Sequence, residues 1–259
     1  MIKSWTLAAF SGVLAIAACQ KAAPVKERQF SQAALDAALA DPMRNANREA
    51  ADARRKPGPL IALAGVKPGD KVLDLIPGDG YWTRIFSKIV GPEGKVYATW
   101  PQAYGRFAEA NVGKLKALSA DPYYGNIVTE MQPTTTLTAP EPLDVVWTSQ
   151  NYHDYPAEFM GKADPAILND AAYKLLKPGG TYIVIDHRAK PGRGLSDTDT
   201  FHRVDPAIVR KKVEAAGFQF AGESKVLENQ ADPLDIPVFD KAIRGRTSQF
   251  AYKFVKPKT

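Results

Sequence analysis

Three histidines occur in the 259 residues, and none falls inside an expected helix or strand. His153 stands in Ser149-Gln150-Asn151-Tyr152-His153-Asp154, directly after an apolar run; His187 in Asp186-His187-Arg188, after another; His202 in Thr200-Phe201-His202-Arg203-Val204-Asp205, after a polar loop. Imidazole is the side chain that takes up and releases protons near neutral pH, so His153, His187 and His202, with Tyr152 and Asp154 beside the first, are the candidate catalytic residues. Two chemistries compete. One is proton transfer, with an aspartate fixing the tautomer of a single histidine. The other is a metal site built from all three imidazoles with Asp154 or Asp186 nearby. Ligands drawn from separate loops have no local spacing to reveal them, so no metal is assigned from the sequence.

A second candidate feature is Lys71 to Thr83, KVLDLIPGDGYWT: a short apolar strand carrying Asp74, a break at Pro77-Gly78-Asp79-Gly80, then a segment with helical spacing. Gly78 and Gly80 admit backbone angles closed to other residues and let a ligand approach the main chain without a Cβ in the way. The helix that follows turns its free N–H groups back toward this loop, with Tyr81, Ile85, Phe86 and Ile89 on one face.

Asp74-Leu75-Ile76-Pro77-Gly78-Asp79-Gly80 resembles the first motif of class I methyltransferases that use S-adenosylmethionine. In that family an acid ends the first strand and a glycine loop wraps the amino-acid part of the cofactor. The resemblance implies a cofactor site of Asp74, Gly78, Asp79, Gly80 and Tyr81. It also implies a doubly wound, mostly parallel seven-stranded α/β sheet with an antiparallel last strand, preceded by N-terminal helices. The region after the fourth strand commonly contacts the reacting group, which makes Asn151, Tyr152, His153 and Asp154 the residues carried over. Two positions depart from the pattern: Ile76 replaces the first loop glycine, and Trp100-Pro101 replace the acid that holds the ribose hydroxyls. An indole can stack on an adenine face but cannot accept hydrogen bonds, so Trp100 is carried as an adenine contact. The run from about Lys56 to the C-terminus is also similar to exported bacterial proteins described as predicted methyltransferases.

Strands are expected at 71–76, 95–99, 127–129, 143–147, 182–186, 218–221 and 250–255, alternating with helices at 81–89, 164–176 and 206–216. Alternation of this kind argues a parallel sheet wound on both faces, with ligands beyond the carboxyl ends of the strands. Ahead of the sheet, Ser31 can cap a helix to Ala40. Pro42 can open a second helix to about Lys56, whose Arg44, Arg48, Arg54 and Arg55 form either a solvated face or a lid over the cofactor end. Leu60 to Ala64 makes a third, ended by Gly65.

Residues 1–18 read as an export signal: Lys3, then an apolar run too short to span a bilayer comfortably, then Ala17-Ala18 before the single cysteine, Cys19. Ile16-Ala17-Ala18-Cys19 resembles the lipobox of bacterial lipoproteins, which implies lipidation of Cys19, a tether over 19–29 and a folded domain over 30–259. It also implies a membrane partner reached through the lipid, and a periplasm-facing protein. Gln20 in place of aspartate favours the outer membrane by the same resemblance. The formal net charge of +6 is spread along the chain without a basic tract, which argues against nucleic acid. The function expected is methyl transfer from S-adenosylmethionine to a small molecule. Because that cofactor is made inside the cell, a binding protein or an enzyme of another reaction on the same fold is carried as the alternative.

Overall fold

The computed structural model describes Met1 and residues 29–44 and 46–258; Cys19 and nearly all of the expected signal and tether lie outside them. Seven strands form one sheet: β1 (Lys71–Leu75), β2 (Lys95–Pro101), β3 (Ile127–Gln132), β4 (Leu143–Ser149), β5 (Leu176–His187), β6 (Gln219–Ser224) and β7 (Gln249–Val255). Their order is β3-β2-β1-β4-β5-β7-β6, with β7 antiparallel to both of its neighbours and the remaining pairs parallel. The order reverses between β1 and β4, and there the strand ends open a crevice.

Alternation along the strands divides the core into two layers. Val72, Val96, Ala98, Val145, Trp147, Ile183 and Ile185 pack under one set of helices: α1 (Gln32–Ala40), α3 (Pro57–Ala64), α4 (Tyr81–Val90) and α5 (Gly105–Ala120). Their neighbours Leu73, Leu75, Tyr97, Val146, Tyr182 and Val184 pack under α6 (Pro165–Leu175) and α7 (Pro206–Ala215). Both faces are covered, which is why these strands read as continuous apolar runs. Helix starts follow the cap chemistry: Ser31, Asp164 and Asp205 each accept a hydrogen bond from a first-turn amide, and proline follows both aspartates. Among the described residues no helix is long and apolar enough to cross a membrane.

Three expectations change. The second helix, α2, spans only Arg48–Arg55, because the chain turns at 42–43, where Asp41 accepts from the Met43 amide. The arginines expected along it divide: Arg54 is exposed, whereas Arg44, which precedes the helix, is 6% exposed, paired with Asp52 at 2.5 Å, and stands over the Tyr81 ring together with Arg55. Strand β5 begins at Leu176, ahead of the expected 182, and continues through Pro178-Gly179-Gly180. There the Gly179 amide donates to the Lys256 carbonyl, and the Lys256 amide to that of Gly180. Helix α5, between β2 and β3, has no counterpart in the sequence reading.

Candidate active site

The turn after β1 is built from left-handed residues: Ile76 (φ 53°), Gly78 (φ 58°) and Gly80 (φ 82°). The two glycines differ. A Cβ on Gly78 would meet nothing within 4 Å, so this stretch of main chain faces open space; a Cβ on Gly80 would lie 3.1 Å from the Leu115 side chain of α5. Gly78 therefore serves approach by a ligand and Gly80 serves packing. The residue that caps α4 is Gly80, which has no side chain to offer its first-turn amides, and of these the Thr83 amide is engaged by Asp74. Asp79 is exposed, and its carbonyl accepts from Arg84 at 2.7 Å. These features fit the amino-acid end of S-adenosylmethionine.

Asp74 is fully buried and accepts from Thr83 Oγ1 of α4 at 2.6 Å. Burial pushes its carboxyl up to about 7, against the Thr83 hydrogen bond and the Arg55 charge, both of which lower it. Tyr81, 4% exposed, donates its hydroxyl to Asp52 of α2 at 2.5 Å. Trp100 is 1% exposed, its indole packed in the core layer under α4 and α5. Asn151 joins two strand ends: its Nδ2 donates to the carbonyls of Leu75 at 2.8 Å and Ile76 at 3.3 Å.

The histidines lie together at the ends of β4 and β5. The His153 ring centroid is 5.9 Å from that of His187 and 5.4 Å from that of His202. His202 comes back over the sheet because the Val204 amide donates to the His187 carbonyl at 2.9 Å. His153 Nδ1–H donates to Asp186 Oδ1 at 2.7 Å, and its own amide donates to Asp186 Oδ2 at 2.8 Å, so a buried carboxylate fixes both the tautomer and the position of the ring. Its Nε2 faces Asp154 Oδ1 at 3.3 Å, while Asp154 Oδ2 accepts the Tyr104 hydroxyl.

Environment separates the three rings. Burial opposes charge on His153, but Asp186 and Asp154 outweigh it and raise the group to about 9. Burial holds His187 down at about 3, with Asp186 opposing. His202 is also lowered, by burial and by the charge on His153. Asp186 lies below the usual carboxylate range, since His153 overcomes the effect of burial. The surroundings thus favour charge on His153 and disfavour it on His187 and His202.

Tyr152 points away from this group. The turn at 152–154 is a 3₁₀ helix, which rotates successive side chains by about 120°. The tyrosine is therefore buried against α6, its hydroxyl accepting from Asn169 Nδ2 at 3.0 Å. Tyr104 takes part unannounced by the sequence; the one signal for it was its place just beyond the carboxyl end of β2. Beside His187 a cavity of about 510 Å³ opens between Arg54 and Arg55 of α2, the strand-end residues Gln150 and Gln249, and the segment Val238–Thr247. His187 Nδ1 and Thr247 Oγ1 are hydrogen-bonded at 2.8 Å. Arg55 links this cavity to the glycine turn, because its guanidinium lies 4.9 Å from the ring of Tyr81, the residue after Gly80.

No protein-family model matches the chain. Among curated proteins, the ubiquinone/menaquinone biosynthesis C-methyltransferase UbiE of Ectopseudomonas mendocina is 31% identical over 191 residues, 70% of this chain and 67% of that one. The chain spans about half the length, 49%, of further relatives with that name. Among solved structures, a SAM-dependent methyltransferase from Aquifex aeolicus is similar in fold, with a TM-score of 0.56 and 18% identity over 83% of this chain and 95% of that one. The cyclase SpnF is similar with a TM-score of 0.60 and 13% identity over 91% of this chain and 88% of that one. With the glycine turn, the strand order and a 31% identical relative two thirds covered, this chain belongs to the class I methyltransferases, enzymes whose cofactor is S-adenosylmethionine.

Proposed function

We propose that the protein methylates a small acceptor held in the cavity beside His187, and that it does so as an exported lipoprotein anchored through Cys19. The observation that carries the first part is the continuity of the glycine turn, Arg55 and the His187 cavity along one edge of the sheet. Bound at the turn, S-adenosylmethionine supplies an electrophilic methyl group. The residues of the chain hold and deprotonate the acceptor. Gly78 gives the ligand access to the main chain, and Asn151 fixes the carbonyls of Leu75 and Ile76. Gln150, Thr247 and Gln249 offer hydrogen bonds inside the cavity. In the tautomer that donates Nδ1–H to Thr247 Oγ1, His187 carries its basic lone pair on Nε2. A weakly basic imidazole suffices when the proton leaves after the methyl arrives, since a methylated hydroxyl or ring carbon is a strong acid until it loses that proton. The curated relatives are named C-methyltransferases, which favours carbon as the accepting atom.

Calorimetric titration of the purified protein with S-adenosylmethionine and S-adenosylhomocysteine tests the cofactor part, with binding expected to both. Asp74→Ala and Gly78→Val should weaken it; absence of binding by folded protein would refute the reading. SpnF carries the name of a cyclase on a similar fold, and Trp100 stands at the position of the ribose acid. Together these favour, as the second reading, another reaction on this scaffold. For the anchor, Cys19→Ser should release the protein from membranes, because acyl chains contribute about 0.8 kcal/mol per buried CH₂. Wild-type protein found wholly soluble with residues 1–18 still attached would refute export and lipidation together.

A further inference from the structure

Three of the clustered groups bring potential ligand atoms close together. His153, Asp154 and His202 each offer one such atom, and all three atoms lie within 4.8 Å of one another. We propose that these residues bind a divalent transition-metal ion with the preference of zinc for imidazole and carboxylate.

The spacing is already close to that of a loaded site. Two ligands at about 2 Å from a tetrahedral ion stand about 3.3 Å apart. His153 Nε2 and Asp154 Oδ1 are 3.3 Å apart, and His202 Nδ1 is 4.0 Å from the same oxygen. His202 belongs to a loop and its side chain is 29% exposed, so it can close the remaining distance and gives the ion a way in. His153 and Asp154 are nearly buried and held by partners on their far sides. Asp186 accepts from His153 Nδ1, the arrangement in which a carboxylate behind a metal-bound imidazole fixes its tautomer and raises its basicity. Tyr104 donates to Asp154 Oδ2 and leaves Oδ1 turned to the two imidazoles.

Donor chemistry agrees with geometry. Asp154 and Asp186 set two carboxylates among three imidazoles, an oxygen and nitrogen donor set of the kind a divalent transition-metal ion accepts. His187 stays outside the set: its Nδ1 is engaged by Thr247, and its ring centroid lies 5.9 Å from that of His153. Three protein ligands leave a fourth position for water or a substrate oxygen, the pattern of catalytic rather than closed structural zinc sites.

The test is metal titration of the full chain, purified in detergent and stripped with a chelator, and it does not depend on methyl transfer. Co²⁺ should bind one per chain with visible d–d absorption and be displaced by Zn²⁺. His202→Ala and Asp154→Asn should each weaken binding by at least about tenfold, and Asp186→Asn by about 10- to 100-fold. His187→Ala should leave the affinity within about twofold. X-ray absorption at the zinc edge of wild-type protein should count two imidazoles, which keeps the test decisive if a variant fails to fold. Folded wild-type protein that takes up no Co²⁺ or Zn²⁺ would overturn the proposal. So would a site that survives both His202→Ala and Asp154→Asn, or a zinc environment with no imidazole.

Discussion

Asp74→Asn isolates the electrostatic cost held in the cofactor turn. The folded carboxyl is raised from 3.8 to about 7 by burial, whereas the unfolded chain keeps the ordinary value. Below about pH 4 both states are protonated and the group is neutral to stability. As pH rises, the unfolded chain releases its proton first, so stability falls through the window between the two values and stays low above it. At about 1.4 kcal/mol for each pH unit of that window, the full loss is about 4 kcal/mol. Asparagine cannot ionise, and its Oδ1 can still accept from Thr83 Oγ1. Its amide N–H₂ is left to find partners in a buried site, at a cost of about 1–3 kcal/mol that does not vary with pH. Urea unfolding followed by tryptophan fluorescence should therefore find the Asp74→Asn variant less stable than wild type near pH 4 and more stable near pH 8. The difference between the two conditions should be about 4 kcal/mol. A substitution effect that is the same at both pH values would show that Asp74 ionises like an exposed carboxylate, and the account of the turn would be wrong.

Gly80→Val should destabilise the protein by about 3 kcal/mol, combining left-handed strain with the collision against Leu115, whereas Gly78→Ala should cost about 1 kcal/mol, measured by the same unfolding assay. Arg203 is fully buried, bonded to both oxygens of Asp232 and to the carbonyls of Arg188 and Ile236, so Arg203→Ala should cost about 3–5 kcal/mol in thermal or urea unfolding. Ile76→Gly should change stability by less than about 1 kcal/mol, since relief of a left-handed β-branched residue offsets the loss of its half-buried side chain.

What the sequence made legible divides along a physical line. Strands covered on both faces had to be largely apolar, so Leu143 to Trp147, with only Asp144 interrupting, and Tyr182 to Ile185 stood out. The Asp-Pro pairs at 164–165 and 205–206 marked helix starts through backbone chemistry local to those residues. Helix α5 did not stand out, because only Ala108, Val112 and Leu115 of its sixteen residues are buried and its apolar stripe is narrow. At the site, the three histidines were visible as strand-end residues, but which partner each acquires depends on side chains far away in sequence. Thr247 lies 60 residues from His187, and Tyr104 lies 50 from Asp154. The split in the histidines' proton affinities arises from burial and from the placing of Asp186 and Asp154 around His153, and the burial and the approach of Asp186, 33 residues away, were hidden from any local reading.

The missing first glycine illustrates how tertiary contacts can replace a sequence signal. A β-branched residue in the left-handed region costs about 1–2 kcal/mol, which would ordinarily redirect the turn. Here both backbone groups of Ile76 are committed. Its amide donates to the Thr99 carbonyl of β2 at 2.8 Å, and its carbonyl accepts from Asn151 at 3.3 Å. Hydrogen bonds contribute about 1 kcal/mol each, so the two together match the strain. Gln150, just before Asn151, is left-handed as well (φ 65°), and its amide donates to the Ile185 carbonyl at 2.8 Å. Two strained residues on adjacent strand ends thus brace one another through a single asparagine. The turn keeps the path that a glycine would give it, and the open main chain at Gly78 follows from that path and not from the residue type at position 76.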